Sequence, residues 1–168
     1  MRSICMANHG LLAMEEGDLP QAQSYLEQSL VLMREAGFQP FIAFRLTELS
    51  NLFYLQGDLE KFKQNIRKSL SFRNYFDKPQ KASILLIILG SLYLQKPESA
   101  AWLSGAIDLY KRNSDFAFRP LDKRYGERAE THARKLLGDV AFEAAFAEGQ
   151  KMSLDEALDL SLKTVEEM

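Results

Sequence analysis

Apolar residues recur at spacings of three and four along most of the chain, which is the period of an amphipathic α-helix. One such run, between residues 18 and 37, holds Leu19, Ala22, Leu26, Leu30 and Met33. Gly37 and Pro40 follow it, and residues of these types end one helix and begin the next. No stretch alternates apolar and polar residues over several positions. We therefore expect helices and no strands.

The helical pattern repeats at an offset of 40 residues, where Gly17-Asp18-Leu19 matches Gly57-Asp58-Leu59. Each copy predicts two helices joined at the Gly-Asp pair. Glycine adopts a left-handed turn without steric strain, and aspartate accepts a hydrogen bond from the first turn of the next helix. A third copy follows at an offset of 39, where LYLQ at 92–95 matches FYLQ at 53–56.

The chain beyond residue 120 departs from this repeat. Residues 121–137 predict one helix, and Gly138-Asp139 separates it from another. Ser153 with Glu156 three positions later predicts a capping box that opens a final helix. We interpret residues 120–168 as a helical cap, because the end of a helical repeat array needs a polar outer face.

The helix pairs resemble the tetratricopeptide repeat (TPR), in which small residues stand where the two helices cross. Gly10 and Ala22 match these positions in the first copy, and Gly90 and Ala101 match them in the third. In the second copy Phe62 replaces the usual alanine. The resemblance implies an all-α, right-handed α-α superhelix of about three helix pairs, a TPR-like solenoid. Its predicted bounds are 3–38, 40–77 and 79–114 within a domain at 1–119, followed by the cap at 120–168.

A second resemblance rests on the segments AAWLSGAIDLYKR (100–112) and LLGDVAFEAAFAEGQKMSLDEALDLSL (136–162), with Tyr125 between them. Together they are similar to the C-terminal TPR region of bacterial regulators. Those regulators also carry an ATPase module and a LuxR-type helix-turn-helix or adenylate-cyclase module. The sequence contains no G-x-x-x-x-G-K-[ST] phosphate-binding loop, so no ATPase residue is carried over. The resemblance implies a sensing or partner-binding module in signalling or transcription regulation.

The TPR register also implies a concave groove lined by the first helix of each pair. Thr47 and Asn51 would hydrogen-bond a bound segment, while Phe44 and Tyr54 would supply apolar contact area. The predicted groove residues are Phe44, Thr47, Asn51, Tyr54, Ile87, Ser91 and Leu94. Ordinary packing between helices is the alternative interpretation of the same residues.

Charge is uneven along a chain whose formal net charge is only −2. Residues 61–81 carry seven basic side chains and one acidic side chain, whereas residues 139–168 carry two basic and eight acidic ones. Lys61, Lys63, Arg67 and Lys68 form a candidate basic patch for an acidic partner, or else the solvated side of a helix. No aromatic platform interleaves with them, which argues against direct nucleic-acid binding.

The remaining chemistry is sparse. The two histidines, His9 and His132, lie outside any H-E-x-x-H pattern, and no serine lies in a G-x-S-x-G elbow. The single cysteine, Cys5, excludes an internal disulfide framework, fits a reducing cytoplasm and is interpreted as a buried helix residue. The apolar run 84–94 is too short to span a membrane. We predict no catalytic, cofactor-binding or metal-binding residues.

The predicted function is therefore non-catalytic interaction with a protein or peptide in the bacterial cytoplasm. Two alternatives stay open. One is a homo-oligomerisation module, such as a homodimer formed through the 84–94 helix or the oppositely charged segments. The other is a domain that senses a small-molecule inducer, which an enclosed pocket would favour over an open trough.

Overall fold

The Gly-Asp pairs form the helix junctions that the sequence predicts. Gly17 and Gly57 have φ angles of 84° and 78°, in the left-handed region that glycine adopts without strain. The carboxylates of Asp18 and Asp58 then accept hydrogen bonds from the backbone N–H groups of Gln21 and Lys61, both at 3.0 Å. Each pair thus ends one helix and caps the next.

The computed structural model describes residues 2–168. These residues form two compact units that are divided between Tyr75 and Phe76. The first unit comprises the helices α1 (Arg2–Glu16), α2 (Leu19–Ala36), α3 (Gln39–Leu55) and α4 (Leu59–Leu70), then a 3-10 turn at Arg73–Tyr75. Helix α1 packs on α2, and α3 packs on α4. Contacts between α2 and α3 join the two hairpins. These hairpins span residues 2–36 and 39–70.

The core of the first unit lies inside its two hairpins. Leu26 of α2 is fully buried against α1, where the absence of a side chain at Gly10 leaves room for it. Phe62 and Ile66, one turn apart on α4, are fully buried in the same way. Residues at this spacing line one face of a helix, so α4 has one apolar side and one charged side.

The second unit comprises α5 (Lys78–Leu92), α6 (Pro97–Arg112), α7 (Pro120–Leu137), α8 (Asp139–Gly149) and α9 (Leu154–Glu166). Helices α5 and α6 form the predicted third pair. Helix α7 packs on both of them, as does α9, while α8 packs mainly on α6. The third pair and the predicted cap therefore share one compact unit. The sequence-based division at 119/120 lies inside this unit, and the observed division lies at 75/76.

Two capping boxes and one close helix approach define the second unit. Asp77 and Ser153 form reciprocal side-chain and backbone hydrogen bonds with Gln80 and Glu156, which fixes the starts of α5 and α9. Helix α6 approaches α8 so closely that a β-carbon at Gly105 would overlap the Phe146 carbonyl oxygen. Only glycine fits this position.

Every regular element among residues 2–168 is helical, so the prediction of an all-α protein is confirmed. The capping box at Ser153 is also confirmed. The interpretation of Cys5 as buried is wrong, because this residue is exposed on α1. None of the described helices combines the length and apolarity needed to cross a membrane.

Candidate partner-binding groove

The predicted concave-groove residues of α3 are divided between interior and surface. Thr47 is fully buried, and its hydroxyl group donates to the Ala43 carbonyl oxygen at 2.9 Å and lies 2.7 Å from the Ser69 hydroxyl oxygen. Asn51 is also buried, whereas Phe44 and Tyr54 are half-buried. Thr47 therefore holds α3 to α4 in this structure, and the aromatic residues retain accessible area.

The predicted residues of the second unit show the same division. Ile87 and Ser91 are buried within α5, and the Ser91 hydroxyl donates to the Ile88 carbonyl oxygen at 2.9 Å. Leu94, just beyond α5, is 53% exposed. Binding through Thr47, Asn51, Ile87 and Ser91 would require these side chains to be uncovered first. A partner-binding groove through them stays a prediction.

The predicted basic patch lies on α4, and two of its four members line a groove. Lys61, Arg67 and Lys68 are exposed, and Lys63 is half-buried. Lys61 and Lys68 form one wall of a groove of about 500 Å³ between α2 and α4, with α3 beneath it. We call this surface the basic groove. Its lining residues are Glu27, Leu30, Val31, Arg34, Leu46, Leu49, Phe53, Lys61, Gln64, Asn65 and Lys68.

The basic groove combines an apolar floor with cationic walls. Leu30, Leu49 and Phe53 supply the floor, and Val31 on the α2 wall is 51% exposed. Three cationic side chains and one carboxylate, that of Glu27, line the groove. Its charge is therefore positive although the chain as a whole is slightly acidic.

Lys61 is the cation held most firmly. Its ammonium nitrogen lies 5.2 Å from the centroid of the Phe53 ring, within cation–π range, and 2.9 Å from the Asp58 carboxylate. Hydrogen bonds from the Lys61 side chain and backbone lower the pKa of Asp58, so this capping carboxylate stays ionised. Part of the Lys61 charge is thus already compensated.

Arg34 and Lys68 differ from Lys61, since neither forms an ion pair with any residue in the described part of the chain. Both lie in the last turn of a helix, α2 and α4 respectively. The two cations therefore flank the apolar floor from opposite walls, and neither is paired with a carboxylate.

An aromatic stripe at the start of α3 is a second exposed feature of the first unit. The rings of Phe38 and Phe41 lie 6.3 Å apart, and those of Phe41 and Phe44 lie 6.5 Å apart. Phe38 and Phe41 are 57% and 41% exposed. Sequence reasoning identified Phe44 alone and missed the other two, as it missed Arg34 in the basic groove. The spacing of three between the phenylalanines was the available signal.

No family model, curated protein or solved structure matches this chain. Among residues 2–168, no group of three or more His, Cys, Asp or Glu side chains is placed to hold a metal ion.

Proposed function

We propose that this chain is a non-catalytic protein-interaction module whose basic groove binds an acidic, amphipathic segment of a partner protein. The observation that carries the proposal is the pair of cations without a carboxylate partner, Arg34 and Lys68, on opposite walls of an apolar floor. A segment with apolar residues on one face and carboxylates beside them matches both features.

The bound segment would place apolar side chains over Leu30, Leu49 and Phe53 and direct carboxylates toward the two cations. Apolar contact would supply most of the affinity, because exposed ion pairs contribute only about 0.2–1 kcal/mol each. The cations would instead set the orientation of the segment and speed its association at low salt. This division of roles predicts an affinity that falls, without vanishing, as salt rises.

We further propose that the helix hairpins are TPR-like and that the module serves a bacterial signalling or transcription regulator. Three features support the TPR-like interpretation: the 40-residue offset, the two Gly-Asp junctions, and the packing of α2 on α3 that stacks the first hairpin on the second. The role in a regulator rests on the resemblance of residues 100–112 and 136–162. In such a module, contacts between neighbouring hairpins transmit the effect of a bound segment.

The test uses a fluorescein-labelled helical peptide with leucines at positions 1, 4, 8 and 11 and glutamates flanking them. Fluorescence anisotropy measures its affinity for the full chain. We expect the double variant Arg34→Gln/Lys68→Gln to weaken binding about tenfold at low salt, since two exposed ion pairs are lost. Glutamine is preferred to glutamate here, because an acidic residue in the last turn would itself weaken the helix.

Lys135→Gln is the matched control, since Lys135 is also an exposed lysine in the last turn of a helix, α7, outside the basic groove. It should leave the affinity unchanged. A second control peptide carries lysines in place of the glutamates and should bind at least tenfold more weakly. Equal binding of both peptides, or equal losses in the control and the double variant, would refute the proposal.

A further inference from the structure

The second unit contains a cavity, open to solvent along its charged rim, that is separate from the basic groove. Helix α7 packs across α5 and α6, and a space of about 310 Å³ stays open between the three helices. Leu86, Ile107 and Phe118, all at least nine-tenths buried, form its apolar floor. This volume lies at the lower end of the range for small-molecule sites, about 300–1,000 Å³.

Ser104 is the unusual member of the floor. It is only 2% exposed, and its hydroxyl oxygen has no hydrogen-bond partner among residues 2–168. By contrast, the buried Ser91 and Ser161 hydroxyl groups each donate to the carbonyl oxygen three residues earlier, at 2.9 and 2.8 Å. A buried hydroxyl group without a partner is unfavourable. A polar atom of a bound molecule would remove this defect.

The rim of the cavity carries charges of both signs. Lys111, Lys123, Glu127 and Glu130 are exposed there, and none of their side chains forms an ion pair or a hydrogen bond within the described chain. A fifth group, the Asp108 carboxylate, already has partners within the chain. Its Oδ2 atom pairs with Arg112 Nε at 2.8 Å and accepts a hydrogen bond from Gln150 Nε2 at 2.9 Å. Two ammonium groups and two carboxylates thus remain for a ligand.

We propose that this cavity binds a free amino acid whose side chain is largely apolar and ends in one polar atom. The α-ammonium group would pair with Glu127 and Glu130, and the α-carboxylate would pair with Lys111 and Lys123. A zwitterion satisfies both pairs at once, whereas a simple cation or anion would leave one pair of like charges without a counter-ion.

The floor then selects the side chain of the amino acid. Leu86, Ile107 and Phe118 favour an apolar or aromatic group, and the Ser104 hydroxyl group adds a preference for a polar atom at its end. Tyrosine has both features, and phenylalanine lacks only the terminal hydroxyl group. The comparison of these two amino acids therefore isolates the contribution of Ser104.

The experiment titrates the full chain with L-tyrosine, L-phenylalanine, tyramine and 3-(4-hydroxyphenyl)propionate, followed by amide chemical shifts in an NMR spectrum. Tyramine lacks the carboxylate of tyrosine, and the propionate lacks its ammonium group. We expect tyrosine to bind at least tenfold more tightly than either analogue, with the largest shifts in α6 and α7. Absence of saturable binding, or equal affinity for tyrosine and either analogue, would overturn the proposal.

Two variants locate the site. Glu130→Gln should weaken tyrosine binding about tenfold and leave the propionate unaffected, because only the ammonium contact is lost. Ser104→Ala should make the affinities for tyrosine and phenylalanine equal. Glu60→Gln, an exposed carboxylate on α4, is the control and should change nothing. If both cavity variants bind tyrosine as tightly as wild type does, tyrosine does not bind in this cavity. A loss of tyrosine affinity in Glu60→Gln would contradict the proposal as well.

Discussion

Each unit contains one helix that is buried on almost all sides, and the two helices differ in chemistry. In α5 the run Ile84–Leu89 is at least 95% buried and wholly apolar. In α3 the buried residues include Arg45 and Glu48, whose side chains are paired at 2.9 Å. Burial therefore follows position in the fold and not apolarity alone. In α3 a charged pair has been enclosed together with the apolar residues around it.

The two candidate sites differ in a related way. In the first unit α2, α3 and α4 leave an open groove with an excess of cations. In the second unit α7 covers the space beside α5 and α6, so a smaller cavity with a mixed-charge rim forms. Helices that pack side by side leave a surface groove, and an added helix narrows such a space to a smaller, more sheltered cavity. Open grooves suit chain segments, and cavities suit small molecules.

Breaking the buried ion pair should give the largest effect on stability. Glu48→Ala leaves the Arg45 guanidinium buried without its carboxylate, and such losses amount to about 3–5 kcal/mol. In α5, Ile88→Val removes one methyl group from a fully buried residue and should destabilise by about 1 kcal/mol. Urea denaturation followed by far-UV circular dichroism measures both values.

The double variant Arg45→Met/Glu48→Leu is the control for that prediction. Apolar replacement of a buried pair is often neutral or stabilising, so the double variant should recover most of the loss. If Glu48→Ala costs less than about 1 kcal/mol, the pair is solvated, and the contrast between α3 and α5 disappears.

Substitution of the glycines at close helix–helix contacts should give the next largest loss of stability. One such glycine from each unit is compared. Gly105→Ala places a β-carbon against backbone atoms of α8, which cannot move away, and we expect a loss of about 3 kcal/mol. At Gly10 a β-carbon would lie 2.8 Å from Leu26 Cγ and 3.2 Å from the Ala22 carbonyl oxygen, so the overlap is smaller than at Gly105. Gly10→Ala should therefore cost less, since alanine also favours the helix by about 1 kcal/mol. Thermal unfolding of the two variants decides the order.

These features show which parts of the structure can be predicted from the sequence. The helices, the Gly17 and Gly57 turns and the Ser153 capping box depend on nearby residues, so local patterns predicted them. The burial of Arg45 and Glu48 depends on helices distant in sequence, and periodicity assigns such residues to solvent. The basic groove likewise combines residues that are distant in sequence. Lys61 and Lys68 were evident as a local cluster, but Arg34, 27 residues before Lys61, is brought beside them only by the packing of α2 on α3.

The smallest predicted effect concerns two carboxylates of the second unit whose pKa values shift in opposite directions. Glu130 lies exposed at the cavity rim, but partial desolvation of its carboxyl group by the surrounding helices raises its pKa above the ordinary value of 4.5. Lys111 and Arg134 oppose the rise, and Asp108 and Glu127 add to it. Hydrogen bonds from the Ser153 backbone and side chain lower the pKa of Glu156 below the same value. Because the direction of a shift decides which protonation state favours folding, the two residues should affect stability in opposite ways.

For Glu130 the folded protein binds a proton more tightly than the unfolded chain does. The contribution of Glu130 to folding stability is therefore most favourable below pH 4.5 and is lost as pH rises through the raised pKa. The Glu130→Gln variant should thus be more stable than wild type at pH 7 and about as stable at pH 4. For Glu156 the sign reverses. Its contribution is present above pH 4.5 and is lost as pH falls through the lowered pKa, so Glu156→Gln should be less stable at pH 7, with a smaller difference at pH 4. Thermal unfolding at both pH values gives the two slopes, and slopes of the same sign would show that one of the two carboxyl environments differs from this structure.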